Sequence, residues 1–171
     1  MILFISDLHL SPRSPGATAL FLRFLAGRAR QAEALYILGD LFEVWVGDDI
    51  DDAYHTSIIS ALRAASDAGL KIHLMHGNRD FALGERFAAA AGARLLPDPF
   101  DLVLPEWSFV LSHGDALCLD DPDYTAYRAK VRNPAWLQQM LARTRFFRRQ
   151  LGRYIRRRSS RPKRHLHLDY N

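Results

Sequence analysis

The chain has 171 residues, 49% of them hydrophobic and 25% charged, which suits one globular domain with a real core and excludes a low-complexity or fibrous chain. A single cysteine, Cys118, excludes an intramolecular disulfide and makes a reducing compartment the expectation; no run approaches the roughly 18 apolar residues of a membrane span. The net charge of +4 hides an asymmetry, because residues 1–123 carry 9 Lys/Arg against 18 Asp/Glu while residues 124–171 carry 14 against 1, so the basic part is expected to face something anionic.

Ile2-Leu3-Phe4-Ile5-Ser6 reads as a buried strand that runs into Asp7-Leu8-His9. It has no basic flank and is too short for a signal peptide. Thr18 to Arg30 carries Leu20, Phe21, Phe24 and Leu25 on one face and reads as an amphipathic helix. A second strand, Leu35-Tyr36-Ile37-Leu38, runs into Gly39-Asp40. Asp52 to Ala68 reads as a second helix, capped by Asp51 or Asp52 and ended by Gly69. A third strand, Ile72 to His76, runs into Gly77-Asn78-Arg79-Asp80, and Phe81 to Ala91 reads as a third helix closed by Gly92. The fourth apolar run, Phe109-Val110-Leu111-Ser112, leads into His113-Gly114-Asp115. Strands alternating with helices predict an α/β fold, a largely parallel β-sheet core flanked by helices.

Beyond His113 the pattern changes. Asp120 to Asp123 reads as an acidic turn containing a proline. Asn133-Pro134 reads as an N-cap with proline at the first helical position, and Trp136, Met140, Phe147, Leu151 and Ile155 then share one helical face. Of the 22 residues from Arg143 to Arg164, 11 are Lys or Arg and none is acidic. Three readings fit this stretch: a nucleic-acid surface, though it has few interleaved aromatic residues and no recognised nucleic-acid motif, a face laid on anionic lipid headgroups, or a simply solvated helix.

Ligands of open α/β sheets bind beyond the carboxyl ends of the strands. The four strand ends therefore bring Asp7, His9, Asp40, Asn78 and His113 toward one crevice, a donor set suited to hard or borderline divalent metals. Asp40 lies between the other ligands and is placed to bridge two cations, and Arg79 is placed to grip a phosphate and stabilise charge on it. Each residue alone has a plainer reading as a turn or cap residue; four such motifs together favour the metal site. The same weighing makes His73 a packed strand residue, His76 a group behind the ligands, and His55 a surface residue. It makes Asp48 and Asp49 caps or outer water ligands, and Cys118 a buried apolar residue.

The ordered set Asp-x-His, Gly-Asp, Gly-Asn-Arg-Asp and His-Gly-Asp resembles the calcineurin-like metallophosphoesterases. A narrower resemblance, to the pyrophosphatases of lipid A biosynthesis, rests on Tyr36-Ile37-Leu38-Gly39-Asp40-Leu41-Phe42-Glu43, Trp45-Val46-Gly47-Asp48-Asp49 and His76-Gly77-Asn78-Arg79-Asp80-Phe81. It also rests on Leu119-Asp120-Asp121 through Tyr124 and on Tyr127-Arg128-Ala129-Lys130-Val131. The resemblance implies a hydrolase in which metal-activated water attacks the α-phosphorus of UDP-2,3-diacylglucosamine, giving UMP and 2,3-diacylglucosamine 1-phosphate. It implies two divalent ions, Mn²⁺ by preference, one on Asp7, His9 and Asp40 and the other on Asp40, Asn78 and His113. Asn78 and Arg79 would act catalytically, and Asn78, Arg79, Asp121, Ser160, Lys163 and Arg164 would touch substrate.

It further implies a metallophosphoesterase core over residues 1–120, a helical cap insertion over 121–158 that covers acyl chains, and a basic tail over 159–171. The expected location is the cytoplasmic face of a Gram-negative inner membrane, with no obligate protein partner and no nucleic acid. In the resembled proteins a Gly-His-x-His motif on a later strand completes both metals. The sequence ends at Asn171 before such a motif, so the expectation is a core whose C-terminal part is absent and a chain of weak or no activity by itself. His165-Leu166-His167 has the H-x-H form but neither the glycine nor the strand before it. The competing expectations are another calcineurin-like phosphodiesterase, or an inactive basic fragment that binds lipid or nucleic acid.

Overall fold

The computed structural model describes residues 1–159. Four strands, β1 (Ile2–Ile5), β2 (Ala34–Leu38), β3 (Lys71–Met75) and β4 (Ala93–Leu96), form one parallel sheet in the order β1-β2-β3-β4. The register sets Ile5 beside Ile37 and Ile37 beside Leu74, so the first three strands end nearly level and their following loops meet. Helices α1 (Pro15–Ala26), α2 (Ala53–Asp67) and α3 (Glu85–Ala91) make the crossovers, as parallel pairing requires.

Alternation along β2 divides the core. Leu35 and Ile37 pack with Phe21, Leu25, Phe42, Trp45, Ile58, Leu62 and Phe87 on the helical side. Ala34 and Tyr36 face the other way and pack with Met75, Leu96, Leu102 and Leu111. The last two residues come from an antiparallel pair, β5 (Phe100–Val103) and β6 (Ser108–Leu111). The fourth apolar run is therefore a hairpin strand laid against the sheet rather than a member of it. Neither β4 nor β5 is legible in the sequence, because each has only four residues and is interrupted by Arg94 or Asp101.

Several boundaries differ from expectation for local reasons. Helix α1 begins at Pro15, which supplies the fixed φ that suits a first helical position, and a 3₁₀ turn at Arg28–Gln31 replaces its expected last turn. Helix α2 is capped by Asp52, whose carboxylate accepts the His55 N–H at 3.0 Å. Helix α3 begins only at Glu85, because Asp48 accepts the N–H groups of Gly84 and Phe87, both at 2.9 Å. The acidic turn becomes the start of α4 (Pro122–Val131), with Asp121 accepting the Tyr124 N–H at 2.9 Å. The expected apolar stripe divides into α5 (Pro134–Leu141), capped by Asn133, and α6 (Arg145–Ser159), where Thr144 Oγ1 accepts the Phe147 N–H. No helix among the described residues is long and apolar enough to cross a membrane.

Candidate metal centre and catalytic crevice

The loops after β1 and β2 are built from unusual backbone. Asp7, His9 and Asp40 have φ of 54°, 47° and 54°, a left-handed conformation that costs a non-glycine residue about 1–3 kcal/mol. Three cross-loop hydrogen bonds hold it, Asp7 N to Gly39 O, His9 N to Asp40 O and Leu10 N to Leu41 O. A buried carboxylate fastens the next loop: Asp80 accepts the N–H groups of Gly77 at 2.8 Å and of Asp40 and Phe42 at 3.3 Å. Burial, helped by the nearby Asp40, pushes the Asp80 carboxyl up to about 6.

The result is a compact donor cluster. Ligand atoms of Asp7, Asp40 and His113 all lie within 4.8 Å of one another. His9 Nδ1 sits 3.8 Å from Asp40 Oδ2, and its Nε2 3.9 Å from Asp7 Oδ1. His113 Nδ1 is 2.9 Å from the Leu38 carbonyl. A carbonyl only accepts, so the Nδ1 proton is fixed there and Nε2 keeps its lone pair, 3.9 Å from Asp40 Oδ1. Asn78 Oδ1 is buried without a hydrogen-bond partner, as is His9 Nδ1. An orphaned buried acceptor costs about 1–3 kcal/mol, and a cation offsets that cost. Asp40 is only 2% exposed; burial pushes its carboxyl up, against the Arg79 N–H and the two histidines, which pull it down. The orphaned amide oxygen, the unpartnered His9 nitrogen, the strained ligand backbone and a buried carboxylate beside a second one fit a divalent metal.

Glu43 has a role not read from the sequence. Its Oε1 accepts from the Arg79 guanidinium at 2.9 Å and from Arg156 Nε at 2.6 Å, and its Oε2 lies 3.6 Å from His9 Nδ1. The signal was present, since Glu43 follows the Gly-Asp motif by three residues. A cavity of about 780 Å³ opens beside the cluster, lined by Asp7, Asn78, Arg79 and His113 together with Trp136, Leu151, Tyr154 and Ile155. Asp121 also lines it while capping α4. Ser160, Lys163 and Arg164 lie outside the described residues, as do His165 and His167.

Three other expectations are corrected or refined, and that for His73 holds. Cys118 is exposed, not buried; it follows a short 3₁₀ turn that carries it out of the core. His55 is not a surface residue: it packs edge-on against Trp45 and pairs with Asp52. His76 donates to the Leu83 carbonyl at 2.6 Å and so braces the turn before α3 rather than a ligand. His73 stacks on Tyr36 at 4.5 Å, as a packed strand residue should.

The charge asymmetry is met partly within the molecule. Arg148, only 4% exposed, donates to Asp49 Oδ1 and the Val46 carbonyl, both at 2.7 Å, and Arg145 donates to Asp49 and Asp51. The Arg148 hydrogen bond holds the Asp49 carboxyl well below the usual carboxylate range. A carboxyl lowered in the folded state adds stability above its unfolded value of about 3.9, and that stability is lost as pH falls below it. Arg148→Met is accordingly expected to destabilise the protein by roughly 1.5–3 kcal/mol at neutral pH, the range for hydrogen bonds to charged partners. Urea midpoints of variant and wild type should converge as pH drops below about 4; a gap independent of pH would contradict the clasp.

An open parallel sheet flanked by helices, with acid, histidine and amide donors at its carboxyl edge, has the layout expected of the metallophosphoesterase class. In sequence the chain is similar to proteins named UDP-2,3-diacylglucosamine hydrolase. It is 51% identical over 155 residues to the proteins of that name from Escherichia coli, Shigella boydii and Shigella sonnei. The matched segment is 90% of this chain and 64% of each relative, so the chain spans just under two-thirds of the curated relatives it matches. No family model matches the chain. Among solved structures, a Pseudomonas putida nuclease superposes with a TM-score of 0.47 and 23% identity, covering 60% of this chain and 50% of that one.

Proposed function

We propose that this chain carries the metal-binding half of a pyrophosphatase acting on UDP-2,3-diacylglucosamine in lipid A biosynthesis. The observation that carries the reading is the convergence of Asp7, Asp40 and His113 within 4.8 Å beside the orphaned Asn78 Oδ1. The 51% identity to hydrolases named for that substrate supports it. Two divalent ions, Mn²⁺ by the resemblance, held by Asp7, His9 and Asp40 and by Asp40, Asn78 and His113, would polarise phosphoryl oxygens and lower the pKa of the attacking water. Water attacks the α-phosphorus, the anhydride P–O bond breaks, and UMP and 2,3-diacylglucosamine 1-phosphate leave. Arg79 presents its guanidinium to the charge that grows on the pyrophosphate, and Glu43 holds that guanidinium in place. Asp121 lies at the cavity to meet substrate, and Ser160, Lys163 and Arg164 are assigned to it by the resemblance alone.

Helices α4, α5 and α6 form a cap over residues 121–158, and Trp136, Leu151 and Ile155 offer apolar surface for acyl chains within the cavity. On α6 and just before it, exposed Phe146, Phe147 and Tyr154 alternate with exposed Arg143, Arg149 and Arg153, a mixture suited to anionic headgroups at the cytoplasmic face of the inner membrane.

Substrate competition tests the reading. Weak Mn²⁺-dependent release of UMP from UDP-2,3-diacylglucosamine, lost in Arg79→Ala, is the expected result. Hydrolysis of bis(p-nitrophenyl) phosphate without UMP release would replace it with another phosphodiesterase. Salt-sensitive nucleic-acid binding with no metal uptake would replace it with a basic binding protein.

A further inference from the structure

The orientation of the Asn78 amide is dictated by a chain of hydrogen bonds that starts at two arginines. Arg128 Nε donates to Asp115 Oδ1 at 2.9 Å, and Arg132 Nη2 lies 3.6 Å from Asp115 Oδ2. Two guanidiniums keep Asp115 a carboxylate, which can only accept. The Tyr124 hydroxyl, 3.1 Å from Asp115 Oδ2, must therefore donate its one proton there. Its oxygen is left as an acceptor toward Asn78 at 3.2 Å, and an acceptor selects the amide nitrogen rather than the amide oxygen. The oxygen left over, Asn78 Oδ1, is the buried orphan. The main chain of the same loop is held from the same side, by Tyr127 on the Asn78 carbonyl at 3.4 Å and by Arg132, just past the end of α4, on the His76 carbonyl at 3.0 Å.

We propose that Tyr124 is a positioning residue that relays the fixed polarity of Asp115 to Asn78 and so presents the amide oxygen, not the amide nitrogen, as a metal ligand. Without the hydroxyl the amide is free to rotate by half a turn and offer an NH₂ group, which cannot ligate a cation. This rests on the metal reading of Asn78. Helix α4 then does more than cover the crevice, because it also sets the donor chemistry of the loop beneath it.

The test is Mn²⁺ affinity, measured by titration of free Mn²⁺ with electron paramagnetic resonance, in the wild type and its variants. Tyr124→Phe keeps the ring and is expected to weaken binding about 10–100-fold, the usual effect of losing a partner that orients a ligand. Asn78→Asp offers two equivalent oxygens and needs no orientation, so adding Tyr124→Phe to it should change affinity by less than about threefold, well short of that range. Asn78→Ala serves as the reference for the ligand itself. Unchanged affinity in Asn78→Ala would overturn the metal reading and the relay with it. Weakening in Asn78→Ala with unchanged affinity in Tyr124→Phe would overturn the relay alone. Equal weakening by Tyr124→Phe in both backgrounds would make its effect general rather than orientational and would also overturn it. A second measurement needs no variant: in the metal-free wild type the Asn78 side-chain amide protons should exchange slowly in ¹⁵N spectra, and fast exchange would contradict the relay.

Discussion

Asp40→Ala is expected to abolish metal-dependent hydrolysis and to weaken Mn²⁺ binding by more than the roughly 10–100-fold that loss of an outer partner costs. Both proposed ligand sets share this residue, so one substitution removes a donor from each. The carboxylate has a structural role as well, because Asp40 Oδ1 accepts the Arg79 N–H at 2.9 Å and ties the second strand end to the third. Asp40→Asn separates the two roles. It keeps an oxygen for that N–H and removes the charge that burial disfavours beside Asp7 and Asp80. Its metal-free form is therefore expected to melt no lower than the wild type, and to bind Mn²⁺ poorly. Such a variant would show the usual conflict between a strained site and stability. Mn²⁺-dependent turnover that survives Asp40→Ala would show that this carboxylate does not bridge.

Gly77→Ala should do nearly as much damage for a steric reason. A Cβ at this position would clash with Asp40 Oδ1 and with the Asp40 main-chain nitrogen. The second atom is main chain and cannot rotate away. The loops after β2 and β3 would have to separate, breaking the Asp80 bonds to Gly77 and Asp40. Overpacking typically costs about 1–3 kcal/mol, and the orphaned N–H groups add to it. The urea midpoint and Mn²⁺ affinity should fall together. Gly16→Ala is the matched control, since a Cβ there meets nothing within 4 Å. Within the first turn of a helix it should leave both quantities unchanged or raise stability slightly, by about 0.5–1 kcal/mol. Similar losses in both variants would refute the close approach at Gly77.

What the sequence could reveal follows from where information is local. A strand end carrying Asp-x-His or Gly-Asp is a contiguous signal, and parallel pairing converts three such signals into one crevice without further input. The fourth arrived by another route, on a hairpin strand whose pairing is with β5. His113 reaches Asp40 all the same, because Leu102 and Leu111 pack the hairpin against Tyr36 and Met75. That packing depends on tertiary contact and leaves no short-range trace.

The missed groups share this character. Glu43 matters because Arg79, Arg156 and His9 surround it, and those residues are separated from it by up to 113 positions in sequence. Tyr124 and Asp115 become meaningful only once α4 lies over the β3 loop. The basic stretch read as a surface awaiting an anionic partner, yet three of its arginines already meet Asp49, Asp51 and Glu43. Composition records how many charges a segment holds and not which of them are already answered. Cys118 was misjudged for a related reason. The residue type is usually buried, but here the chain is leaving the core through a short turn.

The most direct test of the metal centre is anomalous diffraction at the manganese edge from crystals grown with Mn²⁺. Two peaks are expected, both within coordination distance of Asp40, one shared with Asp7 and His9 and the other with Asn78 Oδ1 and His113 Nε2. Peaks confined to other acidic groups, or none at these strand ends, would contradict the two-metal centre.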